Sequence, residues 1–300
     1  MVKHGLDDLI FDIVNYIIMI IVLIIVIYPL YFIVIASFSE PYDVVLGNVR
    51  FLPKGFSLDA YQYVFSNKDV WTGYRNTIIN TTFGTLFSLF MTLPAAYVLS
   101  KKFIPGRSFL TWFFLFTMYF GGGLIPTYLL IRSIGLYNKS YTLIILGAFS
   151  VWNTIITRTY YQTAIPETIY EAADIDGAGP IRTFLTIALP LSTPIIAVMA
   201  LYYAVSEWNS FMNALIYLNN KNYFPLQLIL RNILISSQTA LSQLNEGANA
   251  DETVSIVRIH QMAEAMKYSL IIIASLPLLV AYPFVQKYFI KGIMIGSLKG

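Results

Sequence analysis

Four carboxylates, Glu167, Glu171, Asp174 and Asp176, crowd the stretch ETIYEAADID. Carboxylates this close in sequence act as an acid–base pair, or hold a cation, only if they converge in space. Asp174 and Asp176, two residues apart on a helix, point about 160° away from one another and do not converge. Glu167, Glu171 and Asp174 instead follow i, i+4, i+7 spacing and form one acidic stripe. The remaining reactive groups are few. With no cysteine, thiolate metal sites, disulfides and cysteine nucleophiles are excluded together. The two histidines, His4 and His260, stand far apart with no companion cluster. No glycine begins a G-x-x-x-x-G-K-[ST] pattern, so no phosphate-cradling loop is present. The GAG at Gly177–Gly179 has Arg182 where a dinucleotide fingerprint needs its third glycine.

The acids sit in a chain that is mostly apolar. Of 300 residues, 57% are hydrophobic and 12% charged, against about 25% charged in soluble domains. Such a chain cannot cover a water-facing surface, and its apolar excess calls for a bilayer. A net charge of +3, with no Lys/Arg run longer than two, gives nucleic-acid binding nothing to rest on. Six uncharged runs have spanning length: Ile17–Ala36, Asn76–Ser100, Ser108–Ile131, Ser140–Thr157, Leu185–Ser206 and Tyr268–Val285. They predict an all-α, polytopic membrane protein, one permease-like domain over 1–300, with spans at about 13–36, 76–100, 108–131, 140–163, 185–215 and 265–287. The first run is too long, and lacks the small-x-small site, for a cleavable signal. Prolines punctuate the spans, and Gly121, Gly122 and Gly123 interrupt the third. Lys101, Lys102 and Arg107 crowd the brief second connection, which predicts both termini in the cytoplasm.

That orientation leaves two long outer segments, 37–75 and 218–264. In the second, Leu226, Ile229, Leu230, Ile233 and Leu234 share one helical face after Pro225, with Gln227 and Arg231 opposite. A short helix at the outer interface is predicted, followed by the exposed loop SQLNEGANADE, whose region around Asn245–Asp251 could reach a docked partner. Within the spans, Glu207 is the acid in or near an outer half, and intramembrane ionisable groups are functional suspects. Asn209 and Asn213 lie one turn apart, Ser206 shares their face, and Asn153 stands beside Trp152. These are candidates for a polar path, and equally for glue between helices.

Between the fourth and fifth spans, residues 165–190 predict an elbow. Pro166 suits the start of a helix over Ile165–Asp176 and Gly177 its end. Opposite the acidic stripe lie Ile165, Ile169, Ala172 and Ala173, small enough for close docking. An acidic face is repelled by the anionic cytoplasmic leaflet, so a groove in another protein suits it better than lipid. Gly177 and Gly179 allow a bend, and Pro180 starts a second helix. On periodicity alone, a capped surface helix fits as well.

The spelling goes further. Glu171-Ala172-Ala173, three residues, Gly177, nine residues, then Ile187-x-Leu189-Pro190 resembles the EAA motif of binding-protein-dependent ABC importer permeases at every position. FLPKGFSLDAY looks like the first outer loop of the maltose-type carbohydrate class, and EWNSFMNAL like its Trp-Asn segment. FGGGLIPTYLL is similar to a subgroup for oligosaccharide or polysaccharide-fragment uptake. The resemblance implies a coupling helix seated in an ATPase cleft, with Glu171, Ala172, Ala173, Asp174, Gly177, Ile187, Leu189 and Pro190 as coupling residues. It implies a second permease as heterodimer partner, two ATPase subunits, an external solute-binding protein and a carbohydrate substrate. ATP and Mg would be used by the ATPase subunits, with no cofactor on this chain and no catalysis of its own, in a bacterial cell membrane. A secondary transporter or channel acting alone on a small polar solute is the rival, and would need an ion-binding cluster within the spans. A membrane-embedded enzyme is weaker still.

Overall fold

The computed structural model describes residues 6–244, 262, 266–283 and 286. Among these the chain is helical, with one isolated antiparallel bridge, Ser39 to Phe56, and no strand. It divides into two compact units, Met1–Asn67 with Leu230–Leu276, and Lys68–Ile229 with Pro277–Gly300.

In the first unit, α1 (Leu6–Ser37) exposes apolar side chains along most of its length, as a helix facing lipid does. Near its end, Ile35 and Ala36 pack with Val49 and with Val44 of α2 (Pro41–Val45). Phe38 stacks on Phe56 and Tyr61, and the Tyr61 hydroxyl donates to Ser37 Oγ at 2.9 Å, which docks α3 (Asp59–Ser66). The segment read from sequence as an outer loop therefore carries two short helices and an aromatic cluster.

The second unit is built on α4 (Lys68–Ser100), which begins well before the apolar run that marked it. Thr77, Asn80, Gly84, Ser88, Thr92 and Ala96 recur every three or four residues, and all are buried. Side chains this small let neighbouring backbones approach, and the hydroxyls bond across helices. Thr92 and Tyr203 share a 2.6 Å hydrogen bond. Ser88 Oγ donates to the Gly147 carbonyl at 3.0 Å. Against this face pack α8 (Val151–Thr163) and α11 (Thr193–Trp208).

Breaks divide the other expected spans. α5 (Arg107–Tyr119) and α6 (Leu124–Ser133) meet at 112° across Gly121–Gly123, as the glycines predicted. The span expected over 140–163 is two helices, α7 (Thr142–Leu146) and α8, parted at residues 147–150. Ser88 takes up the carbonyl freed there, and Ser150 Oγ accepts from Asn153 N–H to start α8. α9 (Glu167–Ile175) and α10 (Pro180–Leu191), the latter with a π-helical turn at Phe184–Ala188, lead into α11 at an 81° bend. α11 stops at Trp208 with Asn209 as its cap, its Nδ2 donating back to the Val205 carbonyl at 2.9 Å; α12 (Met212–Tyr217) follows separately.

The helix α13 (Leu226–Leu244) does not rest its expected face on an interface alone. Leu226, Leu228, Ile229, Leu230 and Ile233 are all buried, and Leu228 joins Leu143, Ala214 and Leu218. Gly73 of α4 admits its backbone: a Cβ there would come within 3.0 Å of Leu226 Cα. The Leu226 N–H, left open at the helix start, donates to Thr77 Oγ1 at 2.8 Å. The last of the span-length helices among the described residues is α14 (Met266–Pro283). Among the described residues three helices are long and apolar enough to cross a membrane, or five if each bent pair counts as one span. The loop around Asn245–Asp251 and both histidines lie outside the described residues.

Candidate functional site

Residues 167–191 form two helices joined by a glycine turn. α9 runs from Glu167, with Pro166 as its cap rather than its first residue, and ends in a closed turn: Gly177 N–H donates to the Asp174 carbonyl and Ala178 N–H to the Ala173 carbonyl. This pair of hydrogen bonds satisfies two of the last carbonyls and demands a left-handed residue. Gly177 supplies it, at φ +73°. Gly179, at φ −67°, caps α10 in an extended conformation open to other residues.

Both arms are stapled to the helices above. Tyr97 of α4 is buried, with Tyr161 of α8 edge-on at 5.8 Å, Tyr170 of α9 at 6.3 Å and Phe184 of α10 at 5.0 Å between ring centroids. Ile165 and Ala188 complete the cluster. Aromatic pairs in tilted or edge contact add about 0.5–1.5 kcal/mol each beyond their buried area. Both arms thus share one set of packed rings with α4 and α8.

The acidic stripe does not point wholly outward. Glu167 pairs with Lys102 at 3.3 Å, an exposed bridge of small energetic weight. The Lys101 ammonium lies over the Tyr170 ring, and 4.9 Å from the centre of Tyr97. Burial pulls the Lys101 pKa down from 10.5 to about 8, against Asp174 and Glu167, which favour its charged form. Burial also pushes the Tyr170 phenol up to about 12, so it stays neutral. An amine-reactive reagent is therefore expected to label Lys101 with a midpoint near pH 8, read by peptide mass spectrometry. Asp174→Asn should lower that midpoint, since it removes a group favouring the charged amine. A midpoint left near 10.5 would contradict this geometry.

What the elbow offers to a partner differs from its expected face. Ala173 is buried and Ala172 exposed, with Glu171, Asp174 and Gly177 exposed as well. Ile187 and Leu189 are half-buried and Pro190 is exposed. The most open apolar side chains are Ile175 and Ile181, 86% and 77% exposed, on either side of the turn. Periodicity missed both, because each falls just past the end of a stripe, at the turn itself.

The candidates in the spans separate into two groups. Asn153 and Glu207 are buried inside the chain. The Glu207 side chain lies between two glycines: a Cβ on Gly84 would sit 3.1 Å from its Cδ, and one on Gly147 1.8 Å from Oε1. Ser206, Asn209 and Asn213 are exposed; Asn209 caps the end of α11 while Asn213 lies in α12, so they do not share one helical face. Among the described residues no group of three or more His, Cys, Asp or Glu could hold a metal.

Comparison with known proteins places this geometry in a family. Residues 70–295 match the family described as "Binding-protein-dependent transport system inner membrane component". The chain is 40% identical to Protein LplC of Bacillus subtilis over 97% of its length and 95% of that protein's. It is 36% identical to the polygalacturonan/rhamnogalacturonan transport system permease protein YtcP of the same organism, over 97% of this chain and 99% of that one. The crystal structure of a bacterial ABC transporter involved in the import of the acidic polysaccharide alginate contains a chain that superposes with a TM-score of 0.82 at 31% identity. That match covers 96% of this chain and 100% of the other. This chain is thus a member of the binding-protein-dependent ABC transport permeases, the inner-membrane components of those systems.

Proposed function

We propose that this chain is a membrane-spanning subunit of an ATP-driven importer of oligosaccharides or polysaccharide fragments. It crosses the membrane six times, counting the divided 140–163 segment, with both termini and the elbow in the cytoplasm. It forms the path with a second, related permease. Two ATPase subunits, which use ATP and Mg, receive the elbow, and an external solute-binding protein delivers the sugar. The chain itself binds no cofactor and catalyses no reaction. Relatives named for polygalacturonan/rhamnogalacturonan transport and alginate import support the substrate class.

One observation carries the coupling reading: the aromatic cluster ties both arms of an exposed elbow to α4 and α8. Asn209 and Asn213, exposed on this chain, suit the path. Asn153 and Glu207, buried among helices, suit packing within the subunit. Reconstitution of the full complex in proteoliposomes tests the reading. Uptake of an oligosaccharide should require ATP, and Ile175→Asp should reduce it about tenfold or more without reducing the amount of this chain in the membrane. Uptake by this chain alone on an ion gradient, with no ATPase, would overturn the proposal.

A further inference from the structure

The turn FLPKGF, residues 51–56, combines bare apolar side chains with a backbone that is tied down. Phe51, Leu52 and Phe56 stand 71%, 72% and 72% exposed. Yet the Arg50 carbonyl accepts from the Tyr28 hydroxyl at 3.2 Å, and the Phe51 carbonyl accepts from the Tyr31 hydroxyl. The Lys54 N–H donates to Ser39 Oγ at 3.2 Å, and its carbonyl accepts from Glu40 N–H at 2.9 Å. Pro53 has no N–H to satisfy. These bonds also lay the turn alongside α1. Val49 packs with Ile35 and Ala36, the Phe51 ring lies 6.1 Å from that of Tyr28, and Lys54 returns to the residues just past the helix end. From Tyr28 to the end of α1 at Ser37 is about 14 Å at 1.5 Å per residue.

We infer that residues 50–56 dip into the outer-leaflet interface as a membrane-inserted turn, held beside α1 by the Tyr28 and Tyr31 hydroxyls, with Phe51, Leu52 and Phe56 among acyl chains. The inference rests on the proposed importer reading only in naming the leaflet as the outer one. After Asp12, α1 is uncharged as far as Ser37, about 37 Å, against a hydrocarbon core of about 30 Å. The surplus, about 7 Å, is only half of the 14 Å or so by which the turn reaches back, so its deep end meets lipid. Carbonyls at that depth need a donor from the protein, and the two set furthest back along the span each have a tyrosine. In water neither would need one. The occupant is lipid because the bare apolar surface of α1, from Leu9 to Val34, runs straight into the turn. A water-soluble partner docking from outside would not reach behind the helix end. Arg50 and Lys54 are exposed, and their long stems carry the charges up to the headgroups. Glu40 and Asp43 lie against Gly55 and offset them, so the turn selects acyl chains and not an anionic headgroup. Aromatic and basic anchors at the interface set the depth and tilt of a span. The turn therefore fixes α1 in the bilayer.

Electron paramagnetic resonance tests this on the full complex in vesicles of phosphatidylcholine and phosphatidylglycerol. Because the chain has no cysteine, a nitroxide can be placed at Leu52→Cys or Phe56→Cys alone, with the other subunits made cysteine-free. Both labels should collide with oxygen about threefold or more above a water-soluble nickel chelate, at a depth of about 5–10 Å below the phosphates. A label at Asn48→Cys, exposed just before the turn, should show the reverse. Tyr28→Phe with Tyr31→Phe should raise nickel collisions at residue 52 about threefold, as the freed carbonyls turn to water. Size-exclusion chromatography confirms assembly; if the tyrosine pair fails to assemble, the label at Leu52 carries the test. Low collision with both reagents would mean that the second permease or the solute-binding protein covers the turn, and would overturn the inference. So would nickel collisions as frequent as at Asn48, or an assembled tyrosine pair that changes nothing. The measurement needs neither ATP nor sugar, so failure of the importer reading and failure of this one are read separately.

Discussion

Gly177→Val is expected to cut ATP-driven uptake about tenfold or more while the chain still reaches the membrane, whereas Gly177→Asn keeps most of the activity. Gly177 holds φ +73° and no atom lies within 4 Å of the position its Cβ would take. The cost of a side chain there is therefore conformational, not steric crowding. A left-handed backbone costs an L-residue about 1–2 kcal/mol, more for a β-branched one and less for asparagine. About 1.4 kcal/mol is a tenfold change in population, enough to empty the closed turn that aims α9 and α10. Uptake in proteoliposomes, normalised to the chain present by immunoblot, separates this from loss of protein. Equal uptake by the valine and asparagine variants would show that the turn does not set the elbow.

The second large effect is expected at Gly147→Ala. Its new Cβ would fall 1.8 Å from Glu207 Oε1, and Glu207 cannot simply retreat, because Gly84 of α4 lies against its Cγ and Cδ on another side. Nor can the backbone of residue 147 move away freely, since its carbonyl accepts from Ser88. Overpacking of this kind costs about 1–3 kcal/mol, and 1 kcal/mol moves Tm by roughly 2–4 °C in chains of 150–250 residues. A fall of about 5 °C is expected for the complex by differential scanning fluorimetry. Gly147→Ala with Glu207→Ala together should be more stable than the sum of the two single changes, because the second removes the atom that the first strikes. A Tm shift below about 1 °C for Gly147→Ala, or additive losses, would contradict the packing.

The parts legible in sequence were those fixed by local chemistry. The two helices over 167–191 and the turn between them were legible because proline, glycine and a helical stripe fall at the spacings a helix, a stop and a second helix need. The break at Gly121–Gly123 was legible for the same reason. The break at residues 147–150 was not, because LGAFS contains no proline and reads as ordinary apolar span. The group that satisfies it is distant: Ser88 Oγ donates to the loosened Gly147 carbonyl from 59 residues away in the chain. The pairing of part of the acidic stripe was hidden likewise, since the lysine that pairs with Glu167 lies 65 residues upstream. Asn209 and Asn213 looked like neighbours on one face, but α11 stops at Trp208 and Asn213 lies in a separate helix. Composition could announce a membrane protein, but which polar residues face inward depends on pairings between helices far apart in sequence.

The absence of cysteine from this chain makes one measurement direct. With Ile175→Cys as its sole thiol, the assembled importer is treated with a short thiol-to-amine crosslinker, with and without ATP. The account predicts a crosslink between this position and an ATPase subunit, with a yield that changes on ATP binding, and protection of the thiol from water-soluble maleimide. A thiol that stays fully reactive to maleimide in the assembled complex, with no crosslink to an ATPase subunit, would contradict it.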